Sequence, residues 1–368
     1  MSSFVQTPDT AVAQPQLSVD WYLDPRIFEL EKQLLFDQGP GYVGHELMVP
    51  EMGDYYVPAT QNNARILVRN ENGIELLSNI CRHRQATILE GRGSSRNIVC
   101  PIHRWTYAMD GKLLGAPHFS KNPCLNLGKT ILQHWNGMIF AGKRDINRDL
   151  AGMGSRNELD FSGYVLDRAQ IDHYQCNWKT FIEVYLEDYH VDPFHPGLGH
   201  FVNTRQLEWE FGDWYSVQTV GVNPDFSHAG SEVYQKWHAQ VLQQNNQQIP
   251  RHGAIWLLYY PNVMLEWYPN TLVVSTLLPT GIEQCMNIVE FYYPEEIALF
   301  EREFVEREQA AYRETAREDD EICRRITAGR RALYEQRVNE TGPYQQPMEA
   351  GMEHFHRFLR REIEPHLY

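Results

Sequence analysis

Apolar positions along the chain switch between two rhythms, and the switches divide it into regions. Residues 1–17 hold no periodic apolar pattern and are expected to form a flexible tail. Asp24-Pro25 then sets a capping residue before a proline at the first helical position. Ile27, Leu30, Leu34 and Leu35 give that helix an apolar stripe, and Gly39-Pro40-Gly41 ends it. From about 42 to 142 the helical period disappears. Short β-like runs replace it, among them "ARILVRN", "IELLSNI", "NIVCPI", "WTYAM" and "HWNGMIFAG", separated by Gly, Asn and Asp turns. This pattern predicts a small antiparallel β domain. "MDGKL", Met109–Leu113, carries the Asp-Gly of a tight hairpin. The polar, turn-rich stretch 144–163 marks a junction. Beyond it a helical pattern runs from Gln175 to about His190, strands return between about 254 and 293, and a long helix runs from Glu295 to about Leu333. A last helix covers about 348–363. A sheet with helices on one face, an α+β layer, is the expected second domain. The expected organisation is a tail (1–17), an N-terminal helix packed on the second domain (18–41), the β domain (42–150) and the α+β domain (151–368).

Two clusters of metal-ligand residue types fall on this frame. "CRHRQATILEGRGSSRNIVCPIHRW", from Cys81 to Trp105, reads C-x-H, sixteen residues, then C-x-x-H. Each half follows a β-like run, so two loops can close on one centre. Cys81, His83, Cys100 and His103 suit a structural zinc with two Cys and two His. They suit better a Rieske [2Fe–2S] cluster, in which two thiolates hold one iron and two imidazoles the other, since each loop brings one Cys and one His. The four residues alone leave both open.

The second cluster lies in "NWKTFIEVYLEDYHVDPFHPGL", which begins at Asn177. Glu187 and His190 are three apart and are expected to share a helical face. Pro193 and Pro196 forbid a regular helix beyond about Asp192. His195 therefore leaves the helix and can turn back toward His190. Two histidines plus a carboxylate form the facial triad of non-haem iron oxygenases. The carboxylate can come from far away. In the last long helix Tyr312, Thr315, Asp319, Ile322 and Ile326 fall on one face. An aspartate on that inward stripe needs a reason, so Asp319 is the expected third ligand and Asp320, turned about 100° away, the fallback.

Composition narrows the setting. The chain has 368 residues, 42% of them apolar, and a formal net charge of −15. Such a balance repels phosphate backbones and anionic membranes, which argues against nucleic acid or membrane partners. Six cysteines in a chain this long are not a disulfide framework. No signal-peptide pattern opens the sequence. The longest apolar run is "AIWLLYY", against the roughly 20 residues a membrane span needs. A cytoplasmic setting is the expectation.

Taken together, the two clusters resemble the α subunit of Rieske non-haem iron oxygenases, the ring-hydroxylating oxygenase family. The resemblance covers about residues 20–360 and rests on C-x-H, C-x-x-H, Asn177-Trp178-Lys179, Glu187, His190, His195 and Asp319 in order. It also includes "WYLDPRIFELE" and "EAGMEHFHRFL". It argues against zinc. It implies a Rieske β domain joined to a helix-grip catalytic domain, a [2Fe–2S] cluster on Cys81, His83, Cys100 and His103, and mononuclear Fe(II) on His190, His195 and Asp319. It further implies O2 as co-substrate, electrons from a separate NAD(P)H-dependent reductase or ferredoxin, and a trimeric head. In that trimer His103 would pass electrons through Glu187 of the adjacent chain, and Asn177 would line the iron pocket. The chain is short for members that pair with a β subunit, so a homotrimer is expected.

Three departures stand out: Gln85 and Arg104 where the family commonly has Gly, and Glu187 where aspartate is usual. Glutamate there resembles the branch that oxidises quaternary amines. The expected reaction is mono- or dihydroxylation of a small aromatic or other organic substrate, as in aromatic hydrocarbon catabolism, with quaternary-amine oxidation as the alternative. Trp256, Tyr259, Trp267 and Tyr268 are candidate pocket walls for an aromatic or cationic molecule. A reading of another class, a non-enzymatic Rieske binding or electron-transfer protein, would not need all three iron ligands.

Overall fold

A computed structural model describes residues 15–226 and 228–367. Most of the expected tail, residues 1–14, lies outside the described residues. Residues 15–17 are packed rather than free. The Gln16 backbone N–H donates to the Gly342 carbonyl at 3.1 Å, and Leu17 is buried. Two short helices, Asp20–Leu23 and Pro25–Glu31, stand where one was expected. Asp24 caps the second by accepting the Arg26 N–H at 2.8 Å.

The β region folds into three small antiparallel sheets. Asp54–Tyr56, Arg65–Asn70, Gly73–Ser78, Arg92–Ser94 and Lys129–Thr130 form one of them. Asn97–Val99, Thr106–Ala108 and Leu113–Gly115 form the second. The hairpin between its last two strands turns at Gly111, φ +81°. The third sheet, Gly41–His45 with Gln133–Trp135 and Met138–Ala141, faces the rest of the molecule.

The remainder is built on seven antiparallel strands. In spatial order they are Tyr164–Tyr174, Gln284–Pro294, Thr271–Gly281, Val263–Tyr268, Ala254–Tyr259, Tyr215–Val222 and Val202–Gly212. The central strands are apolar almost without alternation because both faces are covered. Tyr42, Met138 and Phe140 of the first domain pack on one face, against Ile255, Leu257, Leu265 and Val274. Helices cover the other. The longest of them, Arg302–Glu335, runs alongside Trp178–Tyr185 and Glu232–Gln244. Among the described residues no helix is long and apolar enough to cross a membrane.

Asn177-Trp178-Lys179 turns out to be an anchor. Asn177 caps the helix Trp178–Tyr185 by accepting the Lys179 N–H at 3.0 Å. Its amide donates to the carbonyls of Tyr22 (2.9 Å) and Ile282 (2.7 Å). Trp178 Nε1 donates to Glu31 at 2.8 Å, and the fully buried Lys179 pairs with the same carboxylate at 2.7 Å. Asn177 was expected to line the iron pocket. It instead fastens the N-terminal helices to the segment that leads to His190.

A second buried network joins four segments. Glu183 accepts from Tyr22 Oη and from Arg330 Nη2 (2.7 Å), and lies 2.9 Å from His356 Nε2. Arg330 also donates to Thr180 at 2.7 Å, and its guanidinium stacks 3.5 Å over the Tyr22 ring. Burial opposes ionisation of Glu183, yet Arg330 and His356 outweigh it and hold the carboxyl at about 2. Arg330→Met should therefore cost roughly 3–5 kcal/mol, because it strands a buried charge. Denaturant melts of the variant measure this, and a loss under about 1 kcal/mol would contradict it.

Candidate active site

The two cysteine–histidine loops have the same construction. In the first, the Cys81 N–H donates to the Ala86 carbonyl (2.8 Å) and the Gln85 N–H to the Cys81 carbonyl (3.1 Å). In the second, Cys100 N–H donates to Trp105 O (2.9 Å) and Arg104 N–H to Cys100 O (3.1 Å). Gln85 (φ +53°) and Arg104 (φ +59°) both occupy the left-handed position that closes the loop. Glycine suits that position best, which accounts for the residue usual there. Here the fold carries two strained side chains instead.

The loops bring their four candidate ligands together around one small cavity. Cys81 and Cys100 are buried, and the His83 and His103 rings lie 4.6 Å apart. His83 stacks on Trp105, and its buried Nδ1 has no hydrogen-bond partner. Burial would raise the Cys81 thiol, but the Tyr107 hydroxyl and backbone N–H groups at the loop outweigh it and bring the pKa down. A stabilised thiolate and an orphaned imidazole nitrogen fit a cluster that takes two sulfurs and two nitrogens. The rim is solvent-facing and of mixed character, with Arg84, Gln85, Ile102, His103 and Arg104 exposed.

The second centre forms where three segments meet. The helix Trp178–Tyr185 stops short of Glu187. Glu187 and His190 therefore do not share a helical face as expected; they meet inside a turn. Glu187 Oε2 accepts the His190 backbone N–H at 3.0 Å, and Oε1 lies 2.5 Å from His190 Nδ1. The helix Val191–Phe194 breaks at His195, ahead of Pro196. His195 Nδ1 lies 2.7 Å from Glu318 Oε2. Both rings thus present Nε2 inward. These nitrogens are 2.9 Å apart, and Asp319 Oδ1 lies 3.0 Å from His195 Nε2 and 3.6 Å from His190 Nε2. Asp320 points elsewhere and pairs with Arg324 at 3.2 Å.

Those distances test the fit to a metal. Adjacent ligands about 2.1 Å from one ion lie about 3.0–3.4 Å apart, and the 2.9–3.6 Å seen here brackets that range. With each Nδ1 proton committed to a carboxylate, two imidazole lone pairs and a carboxylate oxygen converge. That convergence calls for a positive charge between them. Burial opposes charge on His190, but Asp319 and Glu187 outweigh it and draw the ring up to about 10, so the site favours a positive charge here, as a proton on the ring or as a metal ion that replaces it. Asp319 is held down at about 2 by the two rings despite its burial.

A cavity opens beside this cluster. It encloses about 930 Å³, mouth included. Tyr185, Trp237, Trp256, Tyr268 and Tyr312 supply aromatic walls. Tyr259 and Trp267, also expected there, face the opposite side of the sheet and pack against the first domain. Three further carboxylates line the cavity: Asp188, Glu266 and Glu308. Burial pushes Asp188 and Glu266 up to about 7 and Glu308 to about 8.

The comparisons with known proteins follow this geometry. Residues 42–131 match the family "Rieske [2Fe-2S] domain" and residues 156–364 match "Ring hydroxylating alpha subunit (catalytic domain)". The chain belongs to the Rieske non-haem iron oxygenase α-subunit family. A [2Fe–2S] Rieske cluster and a mononuclear iron are the cofactors that follow from those two domains. The oxygenase is 58% identical, over 99% of its length and 100% of the relative's, to putrescine 2-hydroxylase of Ralstonia nicotianae. It is 25% identical to the chloroplastic choline monooxygenase of Beta vulgaris, over 97% of this chain and 78% of that protein. Its fold matches the solved structure of a quaternary ammonium Rieske monooxygenase, described with carnitine oxidation and inter-subunit electron transfer. The TM-score is 0.74 at 19% identity, covering 96% of each chain.

Four carboxylates of the oxygenase escape a reading by sequence. Glu318 looks like one more solvated acid on a charged helix, yet it orients His195. Asp188, Glu266 and Glu308 enter the cavity through sheet register and helix packing that no local pattern encodes.

Proposed function

We propose that this oxygenase hydroxylates a short aliphatic amine of the putrescine class. One observation carries the reading. Apart from the two clustered histidines, every charged side chain lining the cavity is a carboxylate, and no lysine or arginine is among them. Beside a neutral aromatic hydrocarbon, burial would drive Asp188, Glu266 and Glu308 toward their protonated forms, leaving nothing for the acidic lining to recognise. An ammonium ion supplies the counter-charge, and the aromatic walls favour a cation over their faces. The 58% identical putrescine 2-hydroxylase supports the same class. Within the expected mono- or dihydroxylation of an aromatic or other organic substrate, a single hydroxylation of a cationic amine is favoured over that of an aromatic hydrocarbon.

In this reading His190, His195 and Asp319 hold iron, and Cys81, His83, Cys100 and His103 hold the Rieske cluster. The iron supplies dioxygen activation and the cluster supplies electrons drawn from a separate reductase or ferredoxin. The protein's own contribution is positional. Glu187 and Glu318 fix the two rings with Nε2 inward, and the cavity carboxylates seat the amine beside them. The solvent exposure of His103 at the cluster rim and the partial exposure of Glu187 support a homotrimer in which the two face each other across neighbouring chains. Six free cysteines suit a reducing, cytoplasmic setting.

Dioxygen uptake with a competent reductase tests the substrate class. A four-carbon diamine is expected to exceed naphthalene-like aromatics and carnitine-like quaternary amines by roughly tenfold or more in kcat/KM. Preference for an aromatic hydrocarbon would overturn the reading.

A further inference from the structure

The cavity holds two separate acidic poles rather than one patch. Asp188 is 3% exposed and Gln218 is 1% exposed. Gln218 Nε2 donates to Asp188 Oδ1. That leaves Asp188 Oδ2 and Gln218 Oε1 buried with no partner. Asp188 lines the cavity and Gln218, bonded to it, does not; an orphaned buried acceptor is costly unless a donor joins it. A primary ammonium carries three N–H donors and a charge. A quaternary ammonium carries no N–H and would leave both acceptors unpaired.

The second pole is Glu266. Its carboxylate accepts from Tyr268 Oη at 2.7 Å and from Tyr312 Oη at 3.4 Å. Trp256 Nε1 donates to the same Tyr268 oxygen at 2.9 Å. These rings surround a carboxylate that no cation side chain neutralises.

Sheet register fixes how the poles relate. Gln218 is paired with Trp256, and Trp256 with Glu266. The three stand in one row across neighbouring strands, on one face. Two strand spacings separate the Gln218 and Glu266 backbones, about 10 Å, with Trp256 on the strand between them and Asp188 bonded at the Gln218 end. A four-carbon diammonium has nitrogens about 6 Å apart with bonds near 1.5 Å. Adding a charge-assisted contact of about 2.8 Å at each end gives a span of about 11–12 Å. The row and the molecule match in scale.

We propose that Asp188, with Gln218, and Glu266 are the specificity-determining residues, each binding one ammonium of an α,ω-diamine laid along Trp256. The inference rests on the amine reading above and names the groups that select a diamine over a monoamine.

Anaerobic titration calorimetry of the holoenzyme tests it with 1,3-diaminopropane, 1,4-diaminobutane, 1,6-diaminohexane and n-butylamine. Two fixed poles predict an optimum at one chain length, with the shorter and longer diamines weaker. A single pole predicts affinity that only rises with length, and that result overturns the proposal on unmodified protein. In Asp188→Asn and Glu266→Gln the affinity for 1,4-diaminobutane should fall about 10- to 100-fold. At least one of the two variants should hold n-butylamine within about threefold, since a monoamine uses one pole. The diamine-to-monoamine ratio is taken within each variant, so a fraction of inactive protein cancels. Unchanged ratios in both variants would sink the two-pole arrangement while amine binding stands. Wild-type protein that binds none of the amines would overturn both.

Discussion

His190→Ala is expected to give a folded protein that keeps its Rieske cluster and loses mononuclear iron and substrate-dependent dioxygen uptake. The loss should exceed about 100-fold, since removing even a partner that orients a ligand costs 10–100-fold. The geometry sets this expectation. Among the described residues only His190, His195 and Asp319 converge there, with ligand atoms 2.9–3.6 Å apart. Two remaining groups cannot define a facial site with open positions for dioxygen and substrate. Asp319→Asn should behave alike, because it removes the negative charge that both rings face. Glu318→Gln should be milder, within the 10–100-fold range, since it leaves all three ligands and loosens only the His195 ring. Iron per chain should fall from three to two in the first two variants, by metal analysis. The visible absorption of the cluster should be unchanged. Persistent uptake in His190→Ala would show that the iron sits elsewhere.

The candidate ligand residues were legible because metal chemistry forces residue types into recognisable spacings. C-x-H with C-x-x-H, and the two histidines around Pro193, carry that signal without any structure. Asp319 was legible for a different reason, as an acid on an otherwise apolar helical stripe. The fold class followed from the switch between β-like runs and helical periods. What stayed hidden is tertiary. Glu187 and His190 were assigned to one helix, but the chain leaves the helix at Leu186. Asp188 is drawn away from the helical path, its N–H to the Met348 carbonyl and its carboxylate to Gln218. Glu266 looks like an interruption in an apolar strand, and only the register beside Trp256 reveals its purpose. The helix Glu232–Gln244 is a different case. Its Ser231 cap and its stripe of Tyr234, Trp237, His238 and Val241 were present in the sequence, although no helix was expected there.

The anchors behind the site explain why the Asn177-Trp178-Lys179 signature was misjudged. A motif standing just ahead of the candidate metal ligands invites a catalytic reading. Here Asn177 and Lys179 spend their polar atoms on Tyr22, Ile282 and Glu31. Glu183, one turn later, ties the same helix to Arg330 and His356. The helix before His190 and the helix carrying Asp319 are thus held by two buried networks. Ligand spacing within tenths of an ångström needs that support more than another polar group in the pocket.

Glu187→Ala is expected to retain both metal centres yet lose most turnover, because the carboxylate has two tasks. One is to hold His190, through contacts of 2.5 Å to Nδ1 and 3.0 Å to the backbone N–H. Loss of an orienting partner alone accounts for about 10–100-fold. The other is to stand between His190 and the Rieske histidine His103 of a neighbouring chain in the proposed trimer. The side chain is about 14% exposed, enough for its outer edge to meet that chain. Losing both tasks should push the loss in kcat beyond about 100-fold, while Glu187→Asp should retain substantial activity because a carboxylate remains. The discriminating measurement is a single turnover with the cluster reduced beforehand. With substrate and dioxygen present, the wild-type cluster should re-oxidise as product forms, and the Glu187→Ala cluster should stay reduced. Re-oxidation at the wild-type rate would confine Glu187 to positioning His190. A monomeric mass in solution for the active wild-type protein would remove the neighbouring chain from the pathway altogether.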